Sequence, residues 1–139
     1  MKLNPYLNFD GNAEDAFKFY QSVFGGELFL QRIGQAPGTE AIPEAEKNRV
    51  MHVALPILGG TKLMATDTLE SMGHKLIEGN NVTINLEPDS REETDRLFNA
   101  LSDGGSEIAP MRDEFWGYWG CCKDKFGVRW MFNFEKSKQ

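Results

Sequence analysis

The feature that most constrains this chain is an order of elements that occurs twice. Residues LNPYLNFD (Leu3–Asp10) alternate as a strand does, with Leu7 and Phe9 on one face and Tyr6 and Asn8 on the other. After Gly11, the segment NAEDAFKFYQSVFG places Asn12 at an N-cap and Glu14 and Asp15 in a first helical turn. Its Ala16, Phe19, Tyr20 and Val23 keep the i, i+3, i+4, i+7 spacing of a packed helix, and Gly25 and Gly26 end it. A strand GELFLQRIG follows, then a polar loop, QAPGTEAIPEAEKN. Two more strands, VMHVALPIL and TKLMATD, are joined at Gly59-Gly60 as a hairpin.

A loop from Thr68 to Asn80 separates the halves, and the plan then repeats. NVTINLEP reads as a strand with Val82, Ile84 and Leu86 on one side. Asp89 or Ser90 caps a helix, SREETDRLFNALSDGG, with the S-x-x-E pattern at Ser90 and Glu93. Its stripe is Thr94, Leu97, Phe98 and Leu101, and it too ends at a glycine pair. SEIAPM, the tryptophan segment and RWMFNFEK supply three further strands. Each half is therefore strand, helix, strand, strand, strand.

The expectation is an α+β fold in one domain spanning residues 1–139, with one βαβββ module at about 1–70 and a second at about 80–139. Two helices cannot cover both faces of that many strands. They pack on one face of a cupped mixed sheet, and the other face is open to form a cleft or meet a partner. A hydrophobic content of 40% is enough to supply the core.

Strand parity then says what the open face carries. The apolar parity is Leu7/Phe9, Leu63/Ala65, Val82/Ile84/Leu86 and Trp130/Phe132/Phe134, which meets the helices. The opposite parity offers Tyr6, Asn8, Met64, Thr66, Thr83, Asn85, Met131 and Asn133. His52 can join this set, although VMHVAL is apolar on both parities. Such a face is neutral, rich in amides and thioethers, and free of carboxylates on those strands. It suits an uncharged or weakly polar small molecule. A divalent metal wants several imidazoles and carboxylates, so no metal site and no cofactor are expected.

The run DEFWGYWGCCKDKFGVRW holds every tryptophan and cysteine of the chain. Trp116 and Trp119, flanked by Gly117 and Gly120, sit where a strand bends or another group comes close. They either cap a core or dimer seam or wall the mouth of the cleft. Adjacent Cys121 and Cys122 point to opposite faces of a strand and form neither a CxxC metal site nor an easy disulfide.

Other classes are excluded by charge and patterning. A net charge of −6 with scattered lysines disfavours nucleic acid. The start, MKLNPYLNFD, lacks the apolar stretch of a secretory signal, and the longest apolar run, Val53–Leu58, is too short to cross a bilayer. A cytoplasmic location is expected, with no membrane partner.

PYLNFDGNAEDAFKFY (Pro5–Tyr20), KLMATD (Lys62–Asp67) and FWGYWGCCKDKFGVRWMFN (Phe115–Asn133) resemble the vicinal oxygen chelate superfamily of glyoxalases, bleomycin-resistance proteins and extradiol dioxygenases, and within it the PhnB-like branch. The resemblance covers nearly the whole chain. It implies a cupped sheet, usually completed by dimerisation, and in glyoxalase-type members a metal held by His, Gln or Glu from the first and fourth strands of each half. Carried across, the first ligand position lands within Asn4 to Tyr6 and the others on or beside Met64, Thr83 and Met131. None of these is a donor for such a cation. PhnB-like proteins also carry a label tied to ubiquinone methylation. No glycine-rich nucleotide loop follows a strand and opens a helix here, so the residues do not support a methyltransferase.

The function expected from these residues is binding of a small molecule without a metal, in the cleft of a homodimer. Its candidate contacts are Tyr6, Asn8, His52, Met64, Thr83, Asn85, Trp116, Trp119, Met131 and Asn133. The alternative is a metal-dependent lyase, isomerase or dioxygenase with displaced ligands, using His52 with Asp67, Asp113 or Glu114. A narrower variant is a metal-free enzyme with His52 as general base. The residues alone leave catalysis open.

Overall fold

The computed structural model describes residues 1–138 and divides into two compact units, Met1–Ile77 and Glu78–Gln139. The first unit runs β1 (Tyr6–Phe9), α1 (Ala13–Phe24), β2 (Phe29–Arg32), β3 (Val50–Pro56) and β4 (Lys62–Asp67). The second runs β5 (Ile84–Leu86), α2 (Arg91–Ser102), β6 (Ser106–Glu114), β7 (Gly117–Lys123) and β8 (Arg129–Glu135). Each unit is a four-stranded mixed sheet, ordered β1-β4-β3-β2 and β5-β8-β7-β6. In both, the first strand is parallel to the fourth and the remaining pairs are antiparallel. The α+β class and the repeated βαβββ plan are those read from the sequence.

One helix packs on each sheet. In the first unit Ala13, Ala16, Phe17, Tyr20 and Val23 of α1 are buried with Phe9, Val53, Leu55, Leu63 and Ala65 of the strands. Phe9 and Phe17 meet edge to face at 6.4 Å. Phe17 takes the buried place expected for Phe19, which is half-buried, because the inward stripe begins at Ala13 and broadens toward that side. In the second unit Thr94, Leu97, Phe98 and Leu101 of α2 are buried, as their spacing predicts. They share a core with Trp130, Phe132 and Phe134, and Phe98 meets Phe132 edge to face at 5.4 Å. Each such apolar side chain contributes roughly 1.5–3 kcal/mol when fully buried.

Several strand expectations need correction. β5 is only Ile84–Leu86, and Val82 lies before it, 72% exposed, rather than in the core. Thr83 also precedes the strand and is exposed. β6 runs on past Met111 to Glu114, so Phe115 and Trp116 form the turn of a hairpin and Trp116 is not a strand residue. β3 is apolar on both parities because a bulge interrupts it. Gln31 pairs with His52 but Arg32 pairs with Val50, leaving Met51 as the extra residue. His52 thus keeps the face of Ala54 and Met64, while Val50 turns into the core.

Buried aspartates tie the loops of each unit. Asp67, 3% exposed at the end of β4, accepts from Gly11 N and Ala13 N through Oδ1 (3.0 Å each) and from Val50 N through Oδ2 (2.8 Å). It does the capping expected of Asn12, whose side chain makes no cap bond. Asp67, named above as a possible displaced metal ligand, therefore has a buried structural role. In the second unit Asp124, also 3% exposed, accepts from Phe126 N and Val128 N and from Trp130 Nε1 at 2.8 Å. Ser90 caps α2 as expected, its hydroxyl accepting from Glu93 N at 3.1 Å.

Removing one of Asp67's acceptor oxygens leaves a buried backbone N–H without a partner and sets an amide donor against it. Asp67→Asn is expected to lower unfolding free energy by about 2–4 kcal/mol in urea titrations. Asn12→Ala, which breaks no cap bond, should stay within about 0.5 kcal/mol of the parent.

Candidate functional site

The side of the first sheet turned away from α1 is fixed by register. Tyr6 of β1 lies opposite Met64 of β4, Ala54 of β3 opposite the same Met64, and Phe29 of β2 opposite Ala54. Alternation adds Asn8, Thr66, His52 and Gln31 to this face. The Tyr6 hydroxyl and His52 Nδ1 are 2.9 Å apart, with the two rings stacked at 5.7 Å. Phe29, 58% exposed, closes on His52 from the other side at 6.1 Å between ring centres. Partial burial raises the Tyr6 phenol above its ordinary value, so the hydroxyl keeps its proton near neutral pH. The Thr66 hydroxyl is engaged with the Met51 carbonyl at 2.7 Å, which satisfies the bulge.

Beside this face, the segment after β4 returns toward the sheet. The ring of His74 accepts at Nδ1 from Leu69 N (3.0 Å), and His74 N donates to the Leu69 carbonyl (3.1 Å). The turn so closed bounds a hollow of about 590 Å3 together with Asn8, Thr66 and Ile33. Sequence reading placed His74 in a loop without a role and did not single out Lys75 or Thr68. The run of polar residues there carried no periodicity that would show it folding back on the sheet.

In the second unit the helix-free face carries Asn85 opposite Met131, Trp119 opposite Asn133, and Cys121 opposite Met131. The same alternation brings in Arg129 and Glu135 at the two ends of β8. This face is therefore charged at its ends rather than free of carboxylates. Arg129 pairs with Glu107 at 2.7 Å, and the Arg112 guanidinium sits 5.1 Å from the Trp119 ring centre. Trp116 meets Trp119 edge to face at 6.1 Å, and Phe115 meets Trp116 at 4.8 Å. The glycines beside them answer to close approach. A Cβ at Gly117 would lie 2.6 Å from the Phe134 carbonyl oxygen, and one at Gly120 2.6 Å from Met111 Sδ. The Asn133 side-chain oxygen, Oδ1, is buried with no hydrogen-bond partner.

The structure brings Tyr6, Asn8, His52 and Met64 onto one face of the first unit. It brings Asn85, Trp119, Met131 and Asn133 onto one face of the second, with Trp116 at its hairpin and Thr83 outside the strand. Sequence reading missed Phe29, Gln31 and Cys121 on these faces. Their parity was legible once their cross-strand partners were known.

The four places where glyoxalase-type proteins hold a metal do not fit one here. Asn4 accepts from Lys62 N at 2.9 Å through its side-chain oxygen, leaving Tyr6 as the face residue. Met64 and Met131 bring thioethers, and Thr83 stands before β5. Hard and borderline divalent cations take nitrogen and oxygen donors in number. The carboxylates considered as displaced ligands are engaged elsewhere. Asp67 holds three backbone N–H groups, Asp113 forms a two-pronged pair with Arg91, and Glu114 pairs with Arg112. The Arg91 hydrogen bond holds the Asp113 carboxyl below its usual range. Among the described residues no three His, Cys, Asp or Glu side chains group as a metal would require.

Comparison with known proteins places this architecture. The family model for 3-demethylubiquinone-9 3-methyltransferase matches residues 1–132. Protein YjdN of Escherichia coli K12 is 32% identical, with 99% of this chain and 98% of YjdN covered. The crystal structure of protein PA1353 from Pseudomonas aeruginosa is similar at 36% identity and a TM-score of 0.85, covering 97% of this chain and 98% of that one. A glyoxylase/bleomycin resistance protein/dioxygenase domain from Frankia sp. shares the fold at 11% identity and a TM-score of 0.64, with 98% of each chain covered.

The two cysteines give a direct check on which face is which. Cys122 points into the core, 3% exposed, and burial, then Asp124 and Cys121, push its thiol up to about 12. Cys121 is half-buried on the helix-free face. Iodoacetamide at pH 8 is expected to add one label to the native protein, at Cys121, and two after denaturation, read by intact and peptide mass.

Proposed function

Because the chain belongs to the family described as 3-demethylubiquinone-9 3-methyltransferase, and has the fold of the glyoxylase/bleomycin resistance/dioxygenase domains, we propose that it uses that fold to bind a small molecule without a metal. The observation that carries this is the register of the parallel strand pairs. At corresponding places the two units set Tyr6 opposite Met64 and Asn85 opposite Met131. Phenol, amide and thioether grip an organic molecule through dispersion and neutral hydrogen bonds, and they are poor ligands for a divalent cation.

The family description names a methyl transfer. The two strand-to-helix connections, residues 10–12 and 87–90, hold a single glycine between them, Gly11, where a loop that cradles a nucleotide-bearing cofactor carries several. The reading proposed here accordingly stops at binding. The protein acts as a homodimer in this proposal, supported by the exposed aromatic hairpin of Phe115, 81% exposed, and Trp116, 42% exposed. A cytoplasmic location is part of this proposal; among the described residues no helix is long and apolar enough to cross a membrane.

A second reading has one observation behind it. In the tautomer whose Nδ1–H donates to the Tyr6 oxygen, this hydrogen bond orients the imidazole and leaves Nε2 free as a base. A bound carbonyl compound would then exchange a carbon-bound proton with solvent. Incubation with a captured ligand in D2O is expected to show deuterium uptake that His52→Asn abolishes. Uptake unchanged in that variant would remove the dyad from any such chemistry.

The binding proposal is tested by titrating a metabolite library into metal-depleted protein. Ligands should change tryptophan emission or the amide resonances of β1, β4, β5 and β8, and should slow alkylation of Cys121. Trp119→Phe is expected to weaken the emission response. A library that perturbs none of these signals, or stoichiometric metal that His52→Ala releases, would defeat the proposal.

A further inference from the structure

We infer that the hollow bounded by the segment Thr68–Ile77 takes an amphiphilic carboxylate, its apolar body against Ile33, Leu69, Leu76 and Ile77 and its head on Lys75 and His74. This refines the small-molecule reading above and rests on it, since Asn8 and Thr66 of the helix-free face line the same hollow. The volume, about 590 Å3, lies within the range of sites for small organic ligands.

The polarity of the lining decides the head group. Asp67 is the acid there, yet both its oxygens are filled by backbone N–H groups of Gly11, Ala13 and Val50. The Thr66 hydroxyl is held by the Met51 carbonyl. Asn8 and Thr68 bring an amide and a hydroxyl that donate or accept, and the groups of the lining that only donate are on His74 and Lys75. His74 accepts from Leu69 N at Nδ1, so the neutral ring carries its proton on Nε2. Lys75 follows it directly, exposed, with no carboxylate partner among the described residues. Two donors, one of them cationic, beside buried Ile33 and Leu69 suit an anion joined to a hydrocarbon. An amine head would find no open carboxylate, and its charge would meet that of Lys75.

The test uses the 15N-labelled full chain and three probes of one shape: hexanoate, 1-hexanol and hexylammonium. Hexanoate is expected to shift the amides of Thr66, Leu69 and His74–Ile77, and to bind about ten-fold tighter than 1-hexanol. Hexylammonium should be weakest. Lys75→Gln should bring hexanoate to the level of 1-hexanol without altering the alcohol, and Lys75→Arg should restore the difference. Histidine ring 15N spectra should show the Nε2–H tautomer at His74, with that resonance moving on addition of hexanoate. Equal affinities for the three probes, or indifference to Lys75→Gln, would overturn the anion preference while leaving small-molecule binding intact. Shifts confined to Tyr6, His52 and Met64 would overturn the location. No response to any probe would overturn the inference, and the library titration reports separately on the broader proposal.

Discussion

The Asp67 carboxylate is the interaction on which the first unit depends. A single buried side chain at the end of β4 holds the backbone at the turn before α1, the first residue of α1 and the start of β3. A charge this buried is tolerable only because every bond it accepts is from an otherwise orphaned N–H. Its negative charge also sits at the helix N-terminus, where the peptide dipoles favour it. The same commitment shapes the chemistry nearby. An acid saturated with backbone donors cannot serve as a metal ligand or a base, so the hollow it borders is left without an open carboxylate.

The second constraint is the bulge in β3. Without the extra residue at Met51, strand alternation would put Val50 on the face of His52 and Ala54, away from the helix. The bulge lets Val50 enter the core while His52 keeps the open face, within reach of the Tyr6 hydroxyl. Thr66 answers the carbonyl that the irregularity exposes. A packing irregularity and a site feature are here one event in the backbone, as is common where strands re-aim side chains.

Much of this was legible in the chain. The duplicated βαβββ plan, the α2 stripe of Thr94, Leu97, Phe98 and Leu101, the Ser90 cap and the inward set of Trp130, Phe132 and Phe134 follow from local periodicity. The places that misled have physical reasons. Val82 has the parity of a core residue, but β5 begins only at Ile84, and parity has no meaning outside a ladder. Asn12 has the composition of a cap, yet a distant carboxylate took that task, which no local pattern can reveal. The ambiguity of VMHVAL was itself the signature of a bulge. The hollow at Thr68–Ile77 was invisible because a loop folding back on a sheet leaves no period in the sequence.

The matched pairs Tyr6–Met64 and Asn85–Met131 bear on what a duplicated fold can be used for. A parallel strand pair fixes two side chains side by side with a separation set by the ladder, whatever their chemistry. With imidazole and carboxylate at those places, such a pair is half of a metal site. With thioether, phenol and amide, the same geometry presents polarizable and hydrogen-bonding surface that needs no ion. The exchange leaves the backbone plan untouched, which is why the fold is shared with the Frankia domain at 11% identity while the donor chemistry must be read position by position. In this chain that surface is what the proposal of organic-molecule binding rests on, and Lys75 and His74 line a hollow beside its first-unit half.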